Sequence, residues 1–406
     1  MMNLLSNASI PFPFGLKGIE VLAVSQGEGS LTIRLQKALP FGLCPLCGTI
    51  SQKVNDRHIH PVTDRPLDGP QVKLEVLKRR WKCLNTFCSV NTFTEQIEGL
   101  ARKRTHTDLF CRYVYQLSRK MTFSDVHTHL QEVYGCQSAL STVYRAAVEQ
   151  LHQQVTVSER FHTPFVGLDE FAKGKGHDYG VVLVDLVHRK VLDIDEGGKT
   201  KKAAARLLSK VESEGLKACA IDMWEPFKRA CRQVVPHALV VADHFHVVKT
   251  MNKAVDAVRK RARGHLESKD KKKALFTYKN LILMGLETLS SKQEHRLWEI
   301  LSWDKDLCRA YELKELLRAI YEGEIPETAT IELDNWIREA QASGIPEVQE
   351  VAGTFVRWKP EILNFWIYRI NNAVTEGKIN KIKTIRRWAY NYNNFEHLRL
   401  KILDRE

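Results

Sequence analysis

Between Thr163 and Asp256 the chain alternates between two hydrophobic patterns, in an order that few folds accommodate. Residues 165–169, 179–187 and 191–194 read as three consecutive strands, and 201–214 as a helix. Residues 218–222 read as a strand, 227–234 as a helix, 238–243 as a fifth strand, and a helix follows from His246. Acids stand at the ends of these elements. Asp169 follows the apolar run Phe165-Val166-Gly167-Leu168, and Asp222 follows Ala218-Cys219-Ala220-Ile221, as expected for carboxylates at the ends of buried strands. Glu376 precedes Gly377-Lys378-Ile379-Asn380-Lys381-Ile382-Lys383, a basic stretch with helical periodicity. Three carboxylates meeting in space hold two Mg²⁺ (or Mn²⁺) ions, which activate an attacking oxygen and stabilise a leaving one in phosphoryl transfer.

Three strands, then helix, strand, helix, strand, helix is the order of the ribonuclease H-like fold. In that fold the first acid lies on strand one, the second just after strand four and the third on a helix after strand five; Asp169, Asp222 and Glu376 fall into those places. Asp169 and Asp222 are 53 positions apart (222 − 169), but Asp222 and Glu376 are separated by 154 (376 − 222), too many for one strand and one helix. An insertion is therefore expected. Residues 256–359 are almost wholly helical in pattern, with Leu281, Leu297, Leu301, Leu313, Leu317 and Ile320 among their apolar positions, which predicts an all-α insertion the size of a small domain.

Nine cysteines, an odd number in a chain of 406 residues, argue against a disulfide framework. Four are grouped: Cys44-Pro45-Leu46-Cys47 and Cys83-Leu84-Asn85-Thr86-Phe87-Cys88 make two knuckles able to give four thiolates to one structural Zn²⁺. Buried, unligated cysteines are the alternative. His58 and His60 lie between the pairs and read as surface or DNA-facing, while Cys111, Cys136, Cys219, Cys231 and Cys308 sit in apolar patterns as core residues. Alternation around Gly27-Glu28-Gly29 and from Val72 to Leu77 makes this a β-rich zinc-ribbon module over residues 1–100.

Residues 101–160 change period. Leu109, Phe110, Tyr113, Val114 and Leu117 mark one helix; Val126, Leu130 and Val133 mark a second, with Thr122 or Ser124 as N-cap; Gly135 breaks it before a third carrying Leu140, Val143, Tyr144 and Ala147. This is a helix-turn-helix pattern, and an ordinary helical hairpin explains it equally well. The basic clusters Arg102-Lys103-Arg104 and Lys78-Arg79-Arg80 favour DNA. So does the whole chain, with 61 Lys and Arg against 48 Asp and Glu, a net charge of +13. No apolar stretch of roughly 18 uncharged residues occurs, and Met1-Met2-Asn3-Leu4-Leu5-Ser6 lacks the form of a signal peptide, so no membrane partner and a cytoplasmic location are expected.

With about 100° per residue, Glu376, Asn380, Lys383 and Arg387 share one helical face and Ile379, Ile382 and Ile385 cover much of the other, pairing a metal ligand with phosphate-binding groups. A solvated charged face is the plainer explanation. Trp224, two residues past Asp222, has the chemistry to stack on a displaced base, although tryptophan is more often a core residue. Gly197-Gly198-Lys199-Thr200 ends like a phosphate-binding loop, but Asp193 occupies the place of its first glycine, so no nucleotide cofactor is expected.

The stretch Glu376 to Lys383, with Arg386-Arg387-Trp388-Ala389-Tyr390 and Asn394-Phe395-Glu396-His397-Leu398-Arg399-Leu400 after it, resembles the C-terminal signature of insertion-sequence transposases of the ISL-three type. Ala242-Asp243-His244-Phe245-His246-Val247-Val248 is similar to that family too. The resemblance implies a DDE transposase, multidomain and of mixed α+β and α/β class. A zinc ribbon (1–100) and a helix-turn-helix (101–160) would precede a ribonuclease H-like core (161–255) interrupted by the all-α insertion (256–359) and completed by 360–406. It further implies binding to double-stranded DNA at terminal inverted repeats, Mg²⁺-dependent end cleavage, strand transfer into target DNA, and a homodimer or larger assembly associated with the nucleoid of a prokaryote. Asp243 and His246 resemble a Cys/Asp-x-x-His element that supports the acidic triad from beside it, so Asp222 is the expected second acid. A catalytically silent DNA-binding regulator descended from such an enzyme is the alternative.

Overall fold

The computed structural model describes residues 15–27, 29–66, 71–100, 105–174, 178–388 and 394–406. They divide into two compact units, one within Met1–Thr156 together with Arg387–Arg405, the other Val157–Arg386 with Glu406. In the first unit, β1 (Ile19–Gly27), β2 (Ser30–Lys37), β3 (Gly42–Leu43), β4 (Ile50–Ser51), β5 (Val54–Thr63), β6 (Gln71–Lys82) and β7 (Thr92–Thr94) alternate with loops. The main sheet runs β1-β2-β6-β5, with β7 added to β6. Ile33 and Leu35 on β2 and Val72, Leu74 and Val76 on β6 are buried at every second position, the period that puts one sheet face inside. β3 and β4 form a separate small hairpin around the first cysteine knuckle.

Three helices follow: α1 (Asp108–Ser118), α2 (Phe123–Tyr134) and α3 (Leu140–Gln154). The Thr107 hydroxyl caps α1; Thr122 caps α2 in a reciprocal box with Asp125, as expected of Thr122 from the sequence. Gly135 ends α2 at φ 62, a left-handed conformation that a side chain resists. Phe110, Val114, Val126, Leu130, Val143 and Ala147 fill the core between the three.

The second unit opens with β8 (Phe165–Ala172), β9 (Tyr179–Asp185), β10 (Lys190–Asp195), α4 (Lys201–Leu208), β11 (Ala218–Ile221), α5 (Glu225–Val234), β12 (Leu239–Ala242) and α6 (His244–His265). The sheet order is β10-β9-β8-β11-β12: β8, β11 and β12 are parallel, and β9 is antiparallel to both its neighbours. Every residue of β11 is buried, which is why it reads as an unbroken apolar run. The elements follow the sequence order closely, but α4 stops at Leu208 rather than 214. α6 runs unbroken across the expected insertion boundary at 256, because Val247, Met251, Ala254, Val255, Val258 and Ala262 continue one buried stripe.

Helices then dominate: α7 (Lys269–Thr277), α8 (Lys279–Leu283), α9 (Ser291–Leu301), α10 (Lys305–Glu322), α11 (Pro326–Ala342) and α12 (Pro346–Leu363). α10 and α12 pack on α6, and α12 also reaches β12, so this helical region shares one core with the sheet. The short α13 (Phe365–Tyr368) leads to α14 (Ala373–Trp388), and α15 (Phe395–Leu403) returns to the first unit. No described helix is long and apolar enough to cross a membrane.

Candidate active site and metal centres

Parallel register builds the acid centre. Leu168 on β8 pairs with Ile221 on β11, and Ile221 with Ala242 on β12. The next residue on each strand is an acid, so Asp169, Asp222 and Asp243 form a row across three adjacent strands, at the edge where α/β folds place ligands. Carboxylate oxygens of Asp169, Glu170 and Asp222 lie within 4.8 Å of one another, as do ligand atoms of Asp222, Asp243 and His246. Asp169 is 6% exposed. Burial first, and then the charge of Asp222, push its carboxyl up to about 8, with Glu376 adding to the rise and His246 and Lys199 opposing it.

His246, in the first turn of α6, points its Nδ1 at two of these acids, 2.9 Å from Asp222 Oδ1 and 3.1 Å from Asp243 Oδ2. Only the Asp243 contact has hydrogen-bond geometry, so Asp222 Oδ1 is buried with no hydrogen bond. Burial works to lower the imidazole, but the two carboxylates outweigh it and lift it to about 9. Asp243 is held below the usual carboxylate range: burial opposes this, and the bonds from His246 and the Asn372 amide prevail. Asp169, crowded by negative charge, and Asp222, with an orphaned buried oxygen, are what a hard divalent cation satisfies, so the donor set fits Mg²⁺ or Mn²⁺.

Glu376 occupies the first turn of α14. Ile379, Ile382 and Ile385 are buried on the inner side of this helix, whereas Asn380, Lys383 and Arg387 are exposed, as the sequence stripe anticipates. Glu376 is close enough for its charge to act on Asp169, yet it belongs to neither tight ligand group. Lys378 and Lys381, off the stripe, both pair with the buried Glu406 carboxylate. Arg102, Lys103 and Arg104 lie outside the described residues. The other basic cluster is turned partly inward: Lys78 and Arg79 are buried, Arg79 pairs with Glu95 at 2.9 Å and donates to the Lys37 and Leu39 carbonyls, and Arg80 is exposed.

Two neighbours of the acids escaped sequence reasoning. Glu170 joins the tight group and pairs with Lys199. Lys199 comes from the loop that fails as a nucleotide motif; its ammonium lies 4.7 Å from the Tyr179 ring centre, and burial lowers it while Asp169 and Asp222 work to raise it. Its carbonyl accepts a bond from Trp224 Nε1 at 3.0 Å. Trp224 itself is 43% exposed rather than part of the core.

The four grouped cysteines converge in the first unit. Their Sγ atoms lie within 4.8 Å of one another, with Cys44–Cys88 at 3.9 Å and Cys47–Cys83 at 3.6 Å. Tetrahedral zinc with Zn–S of about 2.3 Å requires sulfur pairs roughly 3.8 Å apart, so the group of four thiols has the size of such a site. Thr49, hydrogen-bonded to Cys47, holds that thiol down to about 6. Cys111, Cys136, Cys219 and Cys231 are buried elsewhere, and Cys308 is half-buried.

Residues 166–402, more than half of the chain, match the family model DDE_Tnp_ISL3, described as a transposase. The chain belongs to this transposase family. Across 390 residues it is 28% identical to the transposase for insertion sequence element IS1001 of Bordetella parapertussis, covering 95% of this chain and 94% of that protein. Across 257 residues it is 25% identical to the transposase for insertion sequence element IS1557 of Mycobacterium tuberculosis, covering 56% of this chain and 57% of that one. The family match begins one residue into β8 and spans all the acids of the row, the helical region and α14.

Proposed function

We propose that this chain is the DDE transposase of an insertion sequence, which binds the terminal inverted repeats of its element, cleaves DNA at the ends and transfers the strands to target DNA. The row of carboxylates across β8, β11 and β12 carries the reading. The sheet order, with one antiparallel strand between an edge strand and three parallel ones, supports a ribonuclease H-like core with Asp169, Asp222 and Glu376 as its triad. Bound there, Mg²⁺ or Mn²⁺ supplies an acidified attacking oxygen and neutralises the leaving one. The chain's own part is positional: Asp169 and Asp222 hold the cation site at adjacent strand ends, Asp243 and His246 brace Asp222, and Asn380, Lys383 and Arg387 meet DNA phosphates. In the same reading the cysteine module binds structural Zn²⁺, the α1–α3 region recognises the repeats, and a homodimer or larger assembly pairs two ends.

The test is paired on the same purified protein: a gel shift, and Mg²⁺-dependent nicking of supercoiled DNA that carries candidate element ends. Cleavage by the natural chain and its loss by several orders of magnitude in Asp169→Asn, with binding retained, is the expected result. A chain that shifts the DNA and never nicks it is the silent regulator instead.

A further inference from the structure

Asn372 and Thr375, next to the third acid, are both fully buried, although they belong to the start of a helix. They lie against Gly167, two residues before Asp169 on β8. A Cβ at Gly167 would stand 2.1 Å from Thr375 Oγ1 and 2.6 Å from Asn372 Oδ1, so only glycine lets this helix end meet the strand. The Asn372 side-chain amide donates to the Leu168 carbonyl at 3.4 Å, and the Asn372 carbonyl accepts the Glu376 backbone amide at 2.9 Å. The same residue's backbone N–H donates to Asp243 Oδ1 at 3.0 Å, while Asp243 Oδ2 accepts from His246, the neighbour of Asp222. One segment therefore touches the strand of the first acid, the brace of the second and the backbone of the third.

Two features show that this seat is not merely packing. Asn372 Oδ1 and Thr375 Oγ1 are buried with no hydrogen-bond partner, a cost in stability that small apolar residues would avoid. The approach is also constrained: Arg369 adopts a left-handed backbone at φ 49, its guanidinium donates to the Gly323 carbonyl at 2.8 Å, and Asn371 Oδ1 accepts from the Ala373 amide.

We propose that Gly167, Asn372, Thr375 and Asp243 form a seat that sets Glu376 in register with Asp169 and Asp222, and that these four are positioning residues for the acid centre. The proposal rests on Glu376 being the third acid of the triad. A change at Gly167 or Asn372 displaces the helix start that carries Glu376 while leaving the three acid side chains themselves unaltered, so much of its effect should run through Glu376.

The experiment measures Mn²⁺ binding by calorimetry on the full chain, with melting temperature, binding of element ends and end cleavage read on the same preparations. Gly167→Ala should bind DNA ends as the natural chain does, weaken Mn²⁺ binding about tenfold and slow cleavage, as loss of a supporting contact does at metal sites. Combined with Glu376→Gln, it should weaken Mn²⁺ binding by clearly less than the sum of the two single losses, because both changes act in large part on one ligand. If Gly167→Ala does not fold, Asn372→Ala, which adds no atoms, should weaken Mn²⁺ binding several-fold with its melting temperature kept. Unchanged Mn²⁺ binding and cleavage in the folded variant, or additive losses in the double variant, overturn the seat. Full cleavage and unchanged Mn²⁺ binding by Glu376→Gln alone would instead overturn the triad on which the proposal stands.

Discussion

Asp169 shows what gathering acids in one buried place costs a protein. A buried carboxyl lifted to about 8 keeps its proton in the fold where the unfolded chain, near pH 4, has released it. The folded state then binds more protons than the unfolded one through that interval, so this group's contribution to stability declines as pH rises from about 4 to about 8. His246 acts in the same direction: lifted to about 9, it contributes fully below its unfolded value near 6.5 and loses that contribution as pH rises through 9. The metal-free protein should therefore melt at lower temperature at about pH 9 than at about pH 6, and added Mg²⁺ should raise the melting temperature more at the higher pH. Asp169→Asn should flatten both trends; a natural chain whose melting temperature is the same at both pH values would contradict the assignment. At this scale the sequence was partly legible. Both Asp222 and Asp243 follow apolar strands, and register puts both in the row, which is why they compete on sequence alone. What separates them is Asp243's place between His246 and the Asn372 amide, a contact across 129 positions that no local pattern contains. Asp222→Asn should accordingly abolish cleavage in a folded protein, and Asp243→Asn should lower the melting temperature or cut activity less.

At the scale of elements, the periodicities did most of the work. Strands β8, β11 and β12 are legible because burial on both faces makes them continuous apolar runs, and α14 because its isoleucines recur at helical spacing. The end of α4 and the continuity of α6 were not, since tertiary packing rather than local propensity sets where those helices stop. The exposed face of α14 predicts a measurable signature. If Lys383 and Arg387 meet phosphates, replacing either with alanine should weaken binding alike across DNA sequences and reduce the salt slope by about one. Lys378→Ala should leave that slope unchanged, because its ammonium is committed to Glu406. The cysteine knuckles carry a separate prediction. If they bind the proposed zinc, which would supply folding energy to a small module, the double variant Cys44→Ser, Cys47→Ser should release about one zinc per chain and weaken end-specific binding. Stoichiometric zinc retained by that variant, measured by atomic emission, would remove the site.

The chain as a whole is not laid out as beads on a string, and this was the least legible level. On the sequence, residues 395–403 fall in the stretch 360–406 expected to complete the catalytic core, yet α15 groups with α1–α3 and packs on α3, with Tyr144 and His397 meeting across 253 positions. Lys401 is buried there with its ammonium donating to the Ser118 carbonyl at 2.8 Å, Tyr144 bonds His397, and Asp404 receives Tyr115 and Arg119. Such pairings depend on which surfaces are left open after local structure has formed, information that spacing and composition do not hold. They also make the C-terminal helix a structural part of the unit proposed to recognise DNA, while the acids lie in the other unit. Leu398, 4% exposed on α15, is the place to test this. Leu398→Ala removes a buried side chain and should cost about 2–5 kcal/mol. In calorimetry that loss should appear as earlier melting of the first unit, with weaker binding of element ends. Mn²⁺ binding at the Asp169–Asp222 centre should be unchanged, since its named neighbours His246, Asp243, Lys199 and Glu376 belong to the second unit. Parallel loss of Mn²⁺ binding in a variant that keeps its second-unit transition would show that the two units do not divide recognition from chemistry in this way.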